Sequence, residues 1–181
     1  MVMNYFIGLV CFVFLFVSLN IEVFKYFIQN EAYWVGLDIV PILLLANICL
    51  GIYYNQSIWY KLSGKTKFGA YIALTGASIT IALNIIYVPT YGYWACAWAT
   101  LIVYIIQMIL SYILGQKHFP IPYNLYKFFI YIGAALCLFL IAGKINIEGY
   151  YLKLGMNNLI ILAFVLVFYL IEKNKLFEAK S

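Results

Sequence analysis

The chain has 181 residues, of which 67% are hydrophobic, 20% aromatic and only 9% charged. A soluble domain carries about 25% charged residues, so this composition excludes one and points to an integral membrane protein. The net charge of +5 comes from eleven lysines against six acids, with no arginine. Loops that flank membrane spans account for that excess, and it does not imply nucleic-acid binding.

Six apolar runs follow one another, over residues 5–21, 34–54, 68–88, 93–114, 125–142 and 152–171. At 1.5 Å per residue, runs of this kind match the ~30 Å hydrocarbon core. The expected fold is therefore an all-α integral membrane protein, a single six-transmembrane-helix bundle over residues 1–181. The first run is a span rather than a signal peptide, because residues 1–4 carry no positive charge and no small-x-small cleavage site follows. Glu22, Lys25 and Glu31 fall in the first loop, and Tyr33 and Trp34 mark the interface before the second run. Asp38 is the only acid near a span's interior, three residues before Pro41. It reads as a helix N-cap or interfacial residue, or as a proton- or cation-linked group. Pro41 is expected in the first turn of its helix, where a missing N–H costs little.

Between the second and third runs lies a basic turn with Lys61, Gly64, Lys65 and Lys67, which anchors one interface or contacts phosphate. The third run ends in a Pro-Thr-Tyr-Gly break over residues 89–92, and the fourth starts on small residues, Ala95, Ala97 and Ala99. His118, Pro120 and Pro122 mark the fourth loop, and the chain ends in a mixed-charge tail, 172–181. With six spans, one side of the membrane holds Lys61, Lys65, Lys67, Lys117, Lys127, Lys173, Lys175 and Lys180. The other side holds only Lys25, Lys144 and Lys153. This bias sets both termini in the cytoplasm.

Lipid gives helices no hydrophobic reason to associate, so small and polar stripes carry the packing. In the third run Gly69, Ala73, Gly76, Ala77, Thr80 and Asn84 share an arc of about 100°, with Leu74, Ile79, Ile85 and Ile86 toward lipid. Cys96, Ala97, Thr100, Tyr104, Gln107 and Ser111 form a similar stripe in the fourth run, and Asn47, Gly51 and Asn55 in the second. These stripes pack helix on helix, or else Asn47, Asn84 and Gln107 face a hydrated path. With Asp38, these three are the transport-path candidates.

The four cysteines, Cys11, Cys49, Cys96 and Cys137, all fall in apolar runs and form no C-x-x-C pair, so neither a metal site nor a disulfide framework is expected. P-loop, G-x-S-x-G and H-E-x-x-H motifs do not occur, nor does an acid pair suited to glycosyl chemistry. The chain is therefore expected to be a transporter component rather than an enzyme, without a cofactor.

Residues 55–67, NQSIWYKLSGKTK, 76–84, GASITIALN, and 88–100, VPTYGYWACAWAT, carry a resemblance. They resemble the C-terminal lobe of the oligosaccharide-lipid flippases of polysaccharide and lipopolysaccharide biosynthesis, in the MATE-like multidrug/oligosaccharidyl-lipid/polysaccharide (MOP) superfamily. The last stretch is similar to that family's IP-x-YG-x-x-G-x-A-x-AT turn, with Ala95 at a usual glycine. The resemblance implies a two-lobed fold that moves a lipid-linked oligosaccharide across the bacterial inner membrane by alternating access. It further implies that this chain is the last six of about fourteen spans, a partial or truncated flippase whose N-terminal lobe comes from a partner or is replaced by a second copy. The competing expectation is a stand-alone membrane scaffold or assembly subunit, surrounded by membrane lipids and without a transport path.

Overall fold

The structure is a computed structural model that describes residues 2–120, 125–145 and 149–178, with backbone alone for Val2, Ala32, Leu125 and 173–178. Pro122 and Lys180 lie outside the described residues, as do the side chains of Lys173 and Lys175. Every described element is helical: α1 (Val2–Leu19), α2 (Ile21–Lys25), a 3-10 helix (Glu31–Ile39), α3 (Val40–Gln56), α4 (Ile58–Leu62), α5 (Lys67–Tyr91), α6 (Tyr93–His118), α7 (Leu125–Lys144) and α8 (Tyr150–Glu178). Among the described residues, five helical stretches are long and apolar enough to cross a membrane: Tyr33–Leu62, Lys67–Tyr91, Tyr93–His118, Tyr126–Lys144 and Tyr150–Glu172. The apolar part of α1, Met3–Leu19, is shorter, about 26 Å at 1.5 Å per residue.

The helices follow the six apolar runs but differ at their ends for local reasons. The second run opens as the 3-10 helix, and the α-helical ladder begins only at Val40, with Pro41 in the first turn. The same chain stays helical past residue 54: Ser57 donates its hydroxyl to the Tyr54 carbonyl at 2.6 Å, and α4 carries on to Leu62. Burial of Trp59 and Tyr60 draws those residues into helix, where sequence alone suggested a turn. The expected break at 89–92 reduces to one residue. Pro89 lies inside α5, and Gly92, at φ 57, ends α5 and starts α6. A proline two residues before the last helical residue forfeits its own backbone bond, whereas the positive φ at Gly92 favours glycine.

The described residues form two compact units, 1–30 with 124–181, and 31–123. In the first, α8 runs antiparallel to α1, because Lys153 meets Glu22, Asn157 meets Leu19 and Phe168 covers Gly8. It is also antiparallel to α7, because Lys127 meets Glu172 and Tyr131 meets Phe168. It follows that α1 and α7 are parallel. The core of this unit is Ile7, Cys11, Phe14 and Leu15 of α1, Tyr131 and Ala135 of α7, and Ile161 and Phe164 of α8.

In the second unit α6 lies between α3 and α5. Six of its seven buried residues, Ala95, Ala99, Val103, Gln107, Ser111 and Gly115, recur every four positions and form one ridge along the helix, and Ala97 is buried beside it. Mostly small side chains on that ridge let the neighbouring backbones come close. Of the expected stripe on α6, Ala97, Gln107 and Ser111 are buried and Thr100 and Tyr104 half-buried, whereas Cys96 is exposed. On α5 the contact face carries Gly69, Ile72, Gly76 and half-buried Ile79, while Ala73 and Ala77 are exposed. The face is thus shifted from the centre of the expected small-residue arc toward Ile72 and Ile79, while Thr80 and Asn84 of that arc are half-buried. Leu74, Ile85 and Ile86 are exposed as expected, and Ile79 is not.

Candidate functional site

In the α5–α6 hairpin, the Gln107 carboxamide lies directly over Gly76, where an added Cβ would stand 2.0 Å from Nε2. The same Nε2 donates to the Ile72 carbonyl at 3.5 Å. A carbonyl within a helix retains a second lone pair, so a buried amide can tie α6 to the α5 backbone. Next to it, Trp59 packs against Gly115 of α6 and donates its indole N–H to the Ser111 hydroxyl at 3.4 Å. Tyr60 seats its ring over Gly69. Gly69, Gly76 and Gly115 therefore each receive a large side chain from a neighbouring helix.

The four path candidates are not gathered into one site. Gln107 is buried in the α5–α6 contact. Asn84 is half-buried, and its Oδ1 is shielded and accepts no hydrogen bond from the described residues. It lies eight residues from Gly76 on α5, about 12 Å along the axis. Asn47 is exposed and donates back to the Leu43 carbonyl of its own helix at 2.9 Å. Asp38 is exposed in the 3-10 helix; the N-cap of α3 is Ile39, with no side-chain capping bond. The Asp38 capping expectation therefore fails, since the 3-10 turn places the helix start one residue later. Toward the Gly92 end of the hairpin, a groove of about 450 Å³ opens among Leu83, Tyr87, Tyr91, Trp94, Trp98 and Ile102. Its lining is apolar and aromatic, so it suits hydrocarbon better than a sugar.

The first unit holds the charged cluster that the sequence reading passed over. Glu172 Oε1 accepts from the Lys127 ammonium and, at 2.7 Å, from the Tyr131 hydroxyl. The two charged side chains are only 12% and 4% exposed. At the other end of α8, Lys153 pairs with Glu22 at 2.7 Å, both side chains 43% exposed, and Asn157 donates to the Leu19 carbonyl at 2.6 Å. Lys153 and Glu172 are nineteen residues apart, about 28 Å along a helix, close to the thickness of the hydrocarbon core. No charged residue lies between them. From the sequence, Lys127 reads only as a loop lysine and Glu172 only as the start of the tail. The usable signal was register: in an antiparallel hairpin paired positions have a constant sum, and Lys127–Glu172 shares its sum with Tyr131–Phe168.

Among the described residues, no group of three or more His, Cys, Asp or Glu side chains could hold a metal ion. Its apolar helices of spanning length mark the chain as a multi-pass membrane protein. No family model, curated protein or solved structure matches it.

Proposed function

We propose that the chain is the C-terminal part of a MATE-like oligosaccharide-lipid flippase and helps to move a lipid-linked oligosaccharide across a bacterial inner membrane. In this reading it has six spans and cytoplasmic termini, and it acts in transport rather than as an enzyme. The observation that carries the reading is a coincidence of pattern and structure. The family-like stretches 76–84 and 88–100 coincide with the α5–Gly92–α6 hairpin and its Gly76 contact. Helix directions support six crossings. As first and fifth spans, α1 and α7 must run parallel, and α8 must oppose both, which their contacts require. Lysine asymmetry supports the orientation.

A polar head group needs a shielded, hydrated route, because each unsatisfied polar group in lipid costs several kcal/mol. Two-lobed transporters enclose that route between their halves, so this chain supplies one wall. A specific observation favours the scaffold alternative: Gln107 is consumed by helix packing, and the open groove beside Trp94 and Trp98 is apolar. Complementation of a strain lacking its polysaccharide flippase separates the two. The chain alone should fail, and the chain with an N-terminal lobe of about eight spans should restore surface polysaccharide. Restoration by the lone chain would replace the half-transporter by a homodimer. Failure of both, with both proteins in the membrane, would leave the scaffold.

A further inference from the structure

The second unit is electrically lopsided. Its described acids, Glu31 and Asp38, both lie in the 3-10 helix at one end. At the other end are Lys61 in the last turn of α4, Lys65 in the turn after Gly64, Lys67 at the start of α5 and Lys117 in the last turn of α6. Fifty residues separate Lys67 from Lys117, so only the fold brings the four together. The tie is a set of packed rings: Phe68 lies 4.6 Å from His118, Trp59 lies 5.6 Å from Phe68, and Trp59 stacks on His118 at 5.9 Å. All four lysines are exposed, and none forms an ion pair with a carboxylate among the described residues. Asp38 is twenty-three residues from Lys61, about 35 Å along the helices, too far to neutralise it.

We propose that Lys61, Lys65, Lys67 and Lys117 form a docking surface for anionic phospholipid head groups of the membrane leaflet at that end of the helices. Charge complementarity selects the partner. Four unneutralised ammonium groups at the end of three membrane-length helices face a layer of phosphodiesters. Each basic group near such a surface contributes about 1 kcal/mol, roughly five-fold in affinity. The ring contacts among Trp59, Phe68 and His118 hold together the ends of α4, α5 and α6 that bear the lysines, so several can meet head groups together. This surface does not depend on the flippase reading, since a scaffold would carry it equally.

The test uses the full chain, purified in neutral detergent, with phosphatidylglycerol and phosphatidylcholine offered together and retained lipid counted by native mass spectrometry. The wild type should retain phosphatidylglycerol at least about ten-fold over phosphatidylcholine, and about 1 M salt should remove the preference, because the Debye length falls to about 3 Å. The quadruple variant K61Q/K65Q/K67Q/K117Q should approach parity, while the four-arginine version and Lys144→Gln should behave as wild type. An unchanged preference in a folded quadruple-glutamine variant overturns the proposal. Should that variant not fold, a wild-type preference that survives high salt overturns it equally. Displacement of the lipid by millimolar inorganic phosphate would mark a free-phosphate site and overturn the lipid assignment.

Discussion

Gln107 fills the space that a side chain at Gly76 would need: Nε2 stands 2.0 Å, and Cδ 2.8 Å, from where that Cβ would be. Helix α6 therefore sits against α5 at a distance set by backbone on one side and a carboxamide on the other. Close approach of this kind is what membrane helices substitute for a hydrophobic driving force.

Gly76→Ala should lower the melting temperature in detergent, with a loss of about 1–3 kcal/mol from overpacking. Combining it with Gln107→Ala should recover part of the loss, because the second change removes the atoms that clash. Gly133→Ala is the control. Nothing lies within 4 Å of its Cβ, and replacing a mid-helix glycine should cost nothing or gain about 0.5 kcal/mol. Equal melting temperatures for Gly76→Ala and Gly133→Ala would show that α5 presents a different face.

The ion pairs at the two ends of α8 should respond differently. Glu172→Gln or Lys127→Met removes one charge of a buried ion pair, which costs about 3 kcal/mol or more. The double change should cost less than the sum of the two. Glu22→Gln, at the exposed pair, should cost below about 1 kcal/mol. A double-mutant cycle on thermal stability reads both couplings. A coupling at Lys127–Glu172 no larger than that at Glu22–Lys153 would contradict the burial difference.

Orientation is tested by thiol labelling in intact cells, in a background with the four native cysteines replaced by serine or alanine. Ile145→Cys should react with an impermeant maleimide, and Lys65→Cys should react only after the cells are opened. The reverse pattern would invert the lysine-based topology and place the basic end outside.

The helices were legible because an apolar run of spanning length has few alternatives, and runs 68–88 and 93–114 lie wholly inside α5 and α6. Faces were harder to read. Ala73 and Ala77 look as suitable for contact as Gly76, and only the seating of Gln107 and Tyr60 decides that Ile72 turns inward. Helix ends failed where a distant partner decided them, as Gly115 does by receiving Trp59. The charged cluster was missed for a related reason. Lys127 and Glu172 each look like ordinary span flanks, and only the α7–α8 register makes them one site. Of the four path candidates, Gln107 lies on a contact face, which is the packing alternative to the path reading, and neither Asn47 nor Asp38 carries a sequence sign of its exposure.

Trp59 links the packing of α4 to α6, and its role can be divided by substitution. The ring is 1% exposed and donates to Ser111, while Gly115 offers no side chain against it. Trp59→Phe removes the donor and part of the ring, and leaves the Ser111 hydroxyl free to turn to a carbonyl of its own helix, as membrane-buried hydroxyls do. Its cost should be about 1–2 kcal/mol. Gly115→Ala places a methyl 3.0 Å from the ring's Cδ1 and 3.1 Å from Nε1, so the indole must shift by a few tenths of an ångström against Phe68 and His118. Trp59→Ala leaves a cavity and should cost about 3–5 kcal/mol. The expected order of melting temperatures is wild type, Trp59→Phe, then Trp59→Ala, with Gly115→Ala below wild type. Adding Gly115→Ala to Trp59→Ala should cost little further, because the ring it would meet is gone. If the two changes were instead additive, Gly115 would be packing against something other than Trp59, and the link between α4 and α6 would have to be sought elsewhere on the ridge.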